Sequence, residues 1–159
     1  MNAPKDNLRR ELLQARQAMN DDEYTKKNLA IADRFMGDMD WAKIRKVHTY
    51  LSVAVWREPD TSVIAERIKR DYPKTTIEFA SLDKRSPIPE KLFDLIIVPM
   101  VGFDNHNHRL GLGGGWYDRF LATQPQALKV GLCFQSGFVK NSLPHEPHDI
   151  PLDRVITEV

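Results

Sequence analysis

Leu95-Ile96-Ile97-Val98-Pro99-Met100-Val101-Gly102-Phe103-Asp104-Asn105-His106-Asn107-His108-Arg109-Leu110-Gly111-Leu112-Gly113-Gly114-Gly115-Trp116-Tyr117-Asp118-Arg119 decides the fold. Its first four residues are a continuous apolar run, the pattern of a strand covered on both faces. A glycine-rich loop follows, and Trp116 to Ala122 reads as a short helix. Working outward, Val130 to Phe134 is a second buried strand. Val47 to Val53, Ile77 with Phe79, and Val155 to Thr157 supply further strands. Between them lie helical stretches. Strands alternating with helices predict one α/β domain over residues 1–159, three-layered, with a mostly parallel sheet. Ligands of such sheets bind beyond the carboxyl ends of the strands, where the glycine loop falls.

The helices are set by spacing and caps. Residues 5–19 place Leu8, Leu12 and Leu13 on one face. Asn20 with Glu23 three residues on forms a capping-box pattern. It opens a helix carrying Ile31, Ala32, Phe35 and Met36, with Gly37 as terminator. Asp60 or Thr61 caps a third helix with Ile64, Ile68 and Tyr72, which Pro73 stops.

The chain has 159 residues, ample for one domain with a real core. Its 23 Lys+Arg against 22 Asp+Glu leave a net charge of +1, which argues against general nucleic-acid or membrane-surface binding. The single cysteine, Cys133, excludes an internal disulfide and a Cys-rich zinc framework. It lies in an apolar strand and is expected to be inert packing. The N-terminal sequence shows no apolar signal core, and Leu92 to Phe103 is too short to span a bilayer, so a cytoplasmic protein is expected.

The loop holds four of the eight glycines. Glycines let backbone N–H groups turn toward a ligand, and a helix start adds a favourable field for anions. Arg109 and Arg119 flank the loop as phosphate partners, and Asp118 is a hard oxygen ligand for Mg²⁺. No Gly-Lys-Ser/Thr follows, and Trp116 replaces a third glycine, so neither a Walker loop nor a dinucleotide fingerprint is present. A plain glycine turn is the alternative on the glycines alone. Lys5, Arg9 and Arg16 share one face of the first helix, either as a solvated stripe or as a clamp on a polyphosphate. Glu58, held extended by Pro59, is a loop carboxylate or an acceptor for ligand N–H groups. In the tail, Pro144, Pro147 and Pro151 argue against zinc held by His145, Glu146, His148 and Asp149, and favour Asp149 as a hard-cation ligand.

These segments resemble the 5-formyltetrahydrofolate cyclo-ligase family. Val98 to Asp104 with Arg109 to Leu121 is similar to its signature. Lys5-Asp6-Asn7-Leu8-Arg9 with Arg16 resembles its N-terminal element. Tyr50-Leu51-Ser52, Glu58-Pro59-Asp60-Thr61 and Pro144 to Asp149 with Ile156-Thr157-Glu158 resemble three more. The resemblance implies a monomeric enzyme that uses ATP and Mg²⁺ to convert 5-formyltetrahydrofolate to 5,10-methenyltetrahydrofolate, ADP and phosphate. It implies that the formyl oxygen attacks the γ-phosphate and that N10 then closes the ring. Lys5, Asp6, Asn7, Leu8 and Arg9 would bind ATP with Arg109, Leu110, Gly111, Leu112, Gly113, Gly114, Gly115, Trp116 and Tyr117. Of these, Arg109 and Tyr117 would be catalytic. Leu51, Glu58 and Trp116 would face the folate, and Asp118 and Asp149 would hold Mg²⁺. The chain departs from the family in Trp116, where Tyr is usual, in two extra residues between Leu51 and Glu58, and in a short Phe79–Phe93 stretch. Two alternatives remain. One is a catalytically silent ligand- or RNA-binding relative. The other is a different phospholigand enzyme, such as a sugar-phosphate isomerase or a ligase acting on another N-formyl compound.

Overall fold

The computed structural model describes residues 3–81, 83 and 85–159. Its chain order is α1 (Ala3–Gln17), α2 (Asp21–Asp38), β1 (Lys46–Thr49), α3 (Thr61–Asp71), β2 (Thr76–Phe79), β3 (Leu95–Pro99), β4 (Gly102–Phe103), β5 (Arg109–Leu110), α4 (Trp116–Ala122), β6 (Leu128–Leu132) and β7 (Arg154–Ile156). Five strands form a sheet in the order β2-β1-β3-β6-β7, all parallel. The centre is the β3–β6 pair, in register from Leu95↔Leu128 to Pro99↔Leu132.

Alternate residues of β3 explain the layering. Leu95 and Ile97 join Val47, Val130 and Leu132 under Ile31 and Phe35 of α2 and Ile64 and Ile68 of α3. Ile96 and Val98 face the other way, against Phe120 and Leu121 of α4 with Phe93 and Leu152. Side chains alternate across a strand, so a run apolar at every position must be covered twice. The three-layer expectation therefore holds. Asp94, which breaks the apolar run, fastens the start of β1 beside β3. Its carboxylate accepts the backbone N–H groups of Arg45 and Lys46 at 2.9 Å each.

Asn20 accepts from the Glu23 N–H at 2.9 Å and Asp60 from the Ser62 N–H at 2.9 Å, but the Glu23 carboxylate pairs with Lys27 at 3.0 Å, so only the Asn20 half of the expected capping box forms among the described residues. Gly37 does not end α2, which continues to Asp38 with Met39 as the extended cap residue. The strand expected over Val47–Val53 stops at Thr49. Beyond it, the Tyr50 carbonyl accepts from the Thr61 hydroxyl and the Val53 N–H goes to the Glu58 carboxylate, so neither group is free to extend the ladder. β6 lies two residues earlier than expected, and Cys133 and Phe134 follow it as buried loop. The small β4–β5 hairpin has no counterpart in the sequence pattern.

The strand order sets the site. From β1 the chain moves outward through α3 to β2; from β3 it moves the opposite way to β6 and β7. The carboxyl ends of β1 and β3 therefore flank a reversal point, where open α/β sheets leave a crevice.

Candidate active site

A cavity of about 820 Å³ opens at that crevice. Its floor is Tyr50 and Leu51 after β1, Pro99 at the end of β3, and Met100 and Val101 beyond it; its walls come from α1, the 109–118 segment and the 145–150 tail. Segments 102 residues apart in sequence are joined across it: Arg9 donates from Nε to the Gly111 carbonyl at 2.6 Å.

The cations are held by carbonyls and carboxylates. Arg9 pairs with Asp6 at 2.5 Å. Arg16, only 4 % exposed, donates from Nε to the Trp56 carbonyl at 2.9 Å and from Nη1 to the Met100 carbonyl at 3.2 Å. Its Nη2 is buried with no partner among the described residues. The stripe of Lys5, Arg9 and Arg16 thus lines the cavity and is not a solvated surface. Arg109 donates to the Asp118 carboxylate at 2.7 Å and to the Ile150 carbonyl at 2.9 Å, which ties the loop, α4 and the tail together. Lys5 lies 3.8 Å from Asp149.

The glycine segment follows from backbone angles. Gly113 and Gly115 have φ of 97° and 69°, a region that side chains rarely adopt. Gly115 caps α4, which has only seven residues. A helix that short contributes little dipole, so any pull on an anion comes from Lys5, Arg9, Arg16 and Arg109, which share the lining with the carboxylates of Asp6, Glu58, Asp83, Asp118, Glu146 and Asp149. Arg119 is absent from the cavity lining, unlike its expected role as a flank; its guanidinium turns back toward Gly115.

The opposite wall is apolar and carboxylate. Glu58, 7 % exposed, accepts the Val53 N–H at 2.7 Å; burial raises its pKa, against the pull of that hydrogen bond and of Arg16. Trp116 donates from its indole to the Ser86 carbonyl at 3.0 Å, so the short 79–93 stretch supports the wall, and Ala80, Ser81 and Asp83 line it. The Tyr117 hydroxyl is buried without a partner among the described residues, and burial pushes its pKa well up. Cys133 is buried and pushed up to about 12 by burial, in line with inert packing.

Most of the expected site residues meet here. Lys5, Asp6, Arg9, Leu51, Glu58, Arg109 to Asp118 and Asp149 line the cavity. Asn7 and Leu8 do not; Asn7 points to solvent. The tail set His145, Glu146, His148 and Asp149 makes no metal-like cluster among the described residues. The sequence reading missed Tyr50, Met100, Val101 and His108 as wall residues. The first three follow directly from the carboxyl ends of parallel strands, a signal available once strand order is known.

The profile of the 5-formyltetrahydrofolate cyclo-ligase family matches residues 78–158, half of the chain. The chain belongs to that family. The 5-formyltetrahydrofolate cyclo-ligase of Escherichia coli K12 is 38 % identical over 105 residues, covering 62 % of this chain and 51 % of the relative. The chain thus spans about half the length of that curated relative. The mouse cyclo-ligase is 24 % identical over 99 % of the chain and 95 % of its own length. A 5,10-methenyltetrahydrofolate synthetase structure from Mycoplasma pneumoniae superposes with a TM-score of 0.82 at 23 % identity, covering both chains fully, and shares the fold. Among the described residues, no helix is long and apolar enough to cross a membrane.

Proposed function

We propose that this member of the cyclo-ligase family closes 5-formyltetrahydrofolate to 5,10-methenyltetrahydrofolate at the expense of ATP, releasing ADP and phosphate. The observation that carries the reading is the convergence of α1, the glycine segment and the tail on one cavity beyond β1 and β3. In this reading the whole chain, 1–159, works as one monomeric, cytoplasmic domain with no nucleic-acid partner.

Lys5, Arg9 and Arg109 bind the polyphosphate of ATP, a co-substrate, together with backbone groups of Gly111 to Gly115. The donor set suits Mg²⁺: Asp118 and Asp149 offer hard carboxylate oxygens, and each already faces a cation, Arg109 or Lys5, that a phosphate can draw away. Bound there, Mg²⁺ would offset phosphate charge. The folate lies against Leu51 and Trp116, with Glu58 accepting its N–H groups. An amide-like formyl oxygen is a weak nucleophile, so close alignment against the γ-phosphate is the main contribution of the protein. Arg109 and Tyr117 are the groups assigned to charge developing during transfer; the unpartnered Tyr117 hydroxyl supports this.

The test is direct. Purified protein with ATP, Mg²⁺ and 5-formyltetrahydrofolate is followed by the near-ultraviolet absorbance of the methenyl product. ATP-dependent product is expected. None at saturating substrate would overturn the reading and turn attention to other N-formyl compounds.

A further inference from the structure

We propose that Asp104, His106 and His108 form a site for a transition-metal dication of the zinc class, separate from the carboxylates assigned to Mg²⁺. One ligand atom from each lies within 4.8 Å of the others, the only such group of three among the described residues. The three residues alternate along the loop of the β4–β5 hairpin. Asn107, with φ of 61°, makes the turn there, and the Asn107 N–H bonds back to the Asp104 carbonyl at 3.1 Å.

The site has a fixed ligand and a free one. Asp104 is fully buried. One of its oxygens accepts the N–H groups of His106 and His108 at 2.9 and 3.0 Å; the other accepts the Leu143 N–H at 2.8 Å and faces the His108 Nδ1 at 3.1 Å. Ligands about 2.0–2.2 Å from a tetrahedral ion stand roughly 3.3–3.5 Å apart, close to that last separation. A metal can therefore take the place of the shared hydrogen. Binding uses the Nε2–H tautomer of His108, whose Nδ1 lone pair then faces the metal, with the Asp104 carboxylate oxygen as the second donor. The His108 ring is braced by His145, stacked at 3.9 Å and 13°, whose Nδ1 lies 3.1 Å from the Leu143 carbonyl. His106 is exposed, and with a ligand atom within 4.8 Å of those of Asp104 and His108 it is the third ligand, solvent completing the shell.

The donor set decides the class of ion. Two imidazoles and a carboxylate suit Zn²⁺, Ni²⁺ or Cu²⁺, whereas Mg²⁺ takes oxygen ligands almost alone. His108 lines the large cavity while Asp104 and His106 do not, so the ion would sit behind the cavity wall beside Arg109. Zinc binding at this place does not depend on the proposed reaction.

Calorimetric titration of Zn²⁺ into the full chain, without nucleotide, tests it. One saturable site is expected, unaffected by millimolar Mg²⁺. His106→Gln, an exposed change that leaves the unfolding temperature of the metal-free chain unaltered, should weaken binding more than about tenfold, as losing even an outer-shell partner costs about that much. It should also reduce the zinc-induced rise in unfolding temperature at a fixed zinc concentration. His148→Gln, at the tail carboxylates, should bind zinc as the parent does. Absence of a saturable site, unchanged affinity in His106→Gln, or loss confined to His148→Gln would each overturn the proposal.

Discussion

The sheet face under α2 and α3 and the face under α4 are built from alternate residues of the same strands, yet they carry different side chains. Under α2 and α3 the packing is aliphatic and aromatic, with Phe35, Ile31, Ile64 and Ile68 almost wholly buried. Under α4 the same sheet presents His48, ringed by Phe93, Trp116 and Phe120, and leads to Tyr117 at the cavity. The His48 Nδ1 and the Tyr117 hydroxyl, both buried and unpartnered among the described residues, lie on this second side. A buried polar atom left without a partner costs about 1–3 kcal/mol. The first face carries one such atom, Thr49 Oγ1, beside an otherwise apolar layer. The second carries two and gives up more stability, at the place where chemistry is proposed.

That contrast can be broken in order of size. Phe35→Ala, on the silent face, should cost about 3–5 kcal/mol of stability and lower the unfolding temperature by about 10 °C, read by thermal denaturation. Its folded fraction should keep the parent affinity for ATP. Asp118→Ala, on the α4 side, should reverse the pattern: turnover falls about 10²–10³-fold while circular dichroism stays native. Normal turnover would remove Asp118 from the site.

The His48 imidazole gives a pH test. Burial lowers its pKa from 6.5 to about 4. The unfolded chain takes up a proton near 6.5 and the folded chain does not, so the stability is present above that pH and lost as pH falls toward 4. At about 1.4 kcal/mol per unit the loss reaches about 3 kcal/mol. Urea midpoints across this range should show it, and His48→Leu should flatten the curve. Glu58→Gln is the smallest change. The raised pKa of Glu58 means that its contribution is favourable below the ordinary carboxylate range and is lost as pH rises through its folded value. The neutral variant should therefore match the parent in acid and exceed it at neutral pH, while its KM for the folate rises more than its KM for ATP.

The α/β layering was legible because β3 is apolar at every position, a pattern that only double coverage satisfies. The Asn20 and Asp60 caps were legible because capping is local chemistry. The early end of β1 was not, since it depends on Glu58 and Thr61 capturing backbone groups across a loop. Gly37 misled because a glycine ends a helix only where the backbone must turn left-handed, and α2 passes through it to an extended Met39. Within the site, Lys5, Glu58, Arg109, Asp118 and Asp149 could be named from residue type and family pattern. Their pairings could not: that Arg109 spans Asp118 and Ile150, or that Arg9 reaches Gly111, is a fact of tertiary packing between distant segments. Arg16 shows the same limit, since a stripe of cations on a helix looks alike in sequence whether it meets water or a cavity.

In the proposed function the crevice beyond β1 and β3 is a polyphosphate site whose walls Arg109 joins. Calorimetric titration of ATP with Mg²⁺ into the parent and into Arg109→Ala tests it most directly. The parent should bind one ATP per chain, and the variant at least about tenfold more weakly, as expected for losing a charge-assisted contact worth about 1.5–3 kcal/mol. Equal affinity in the two proteins, in a variant whose circular dichroism is native, would contradict the claim.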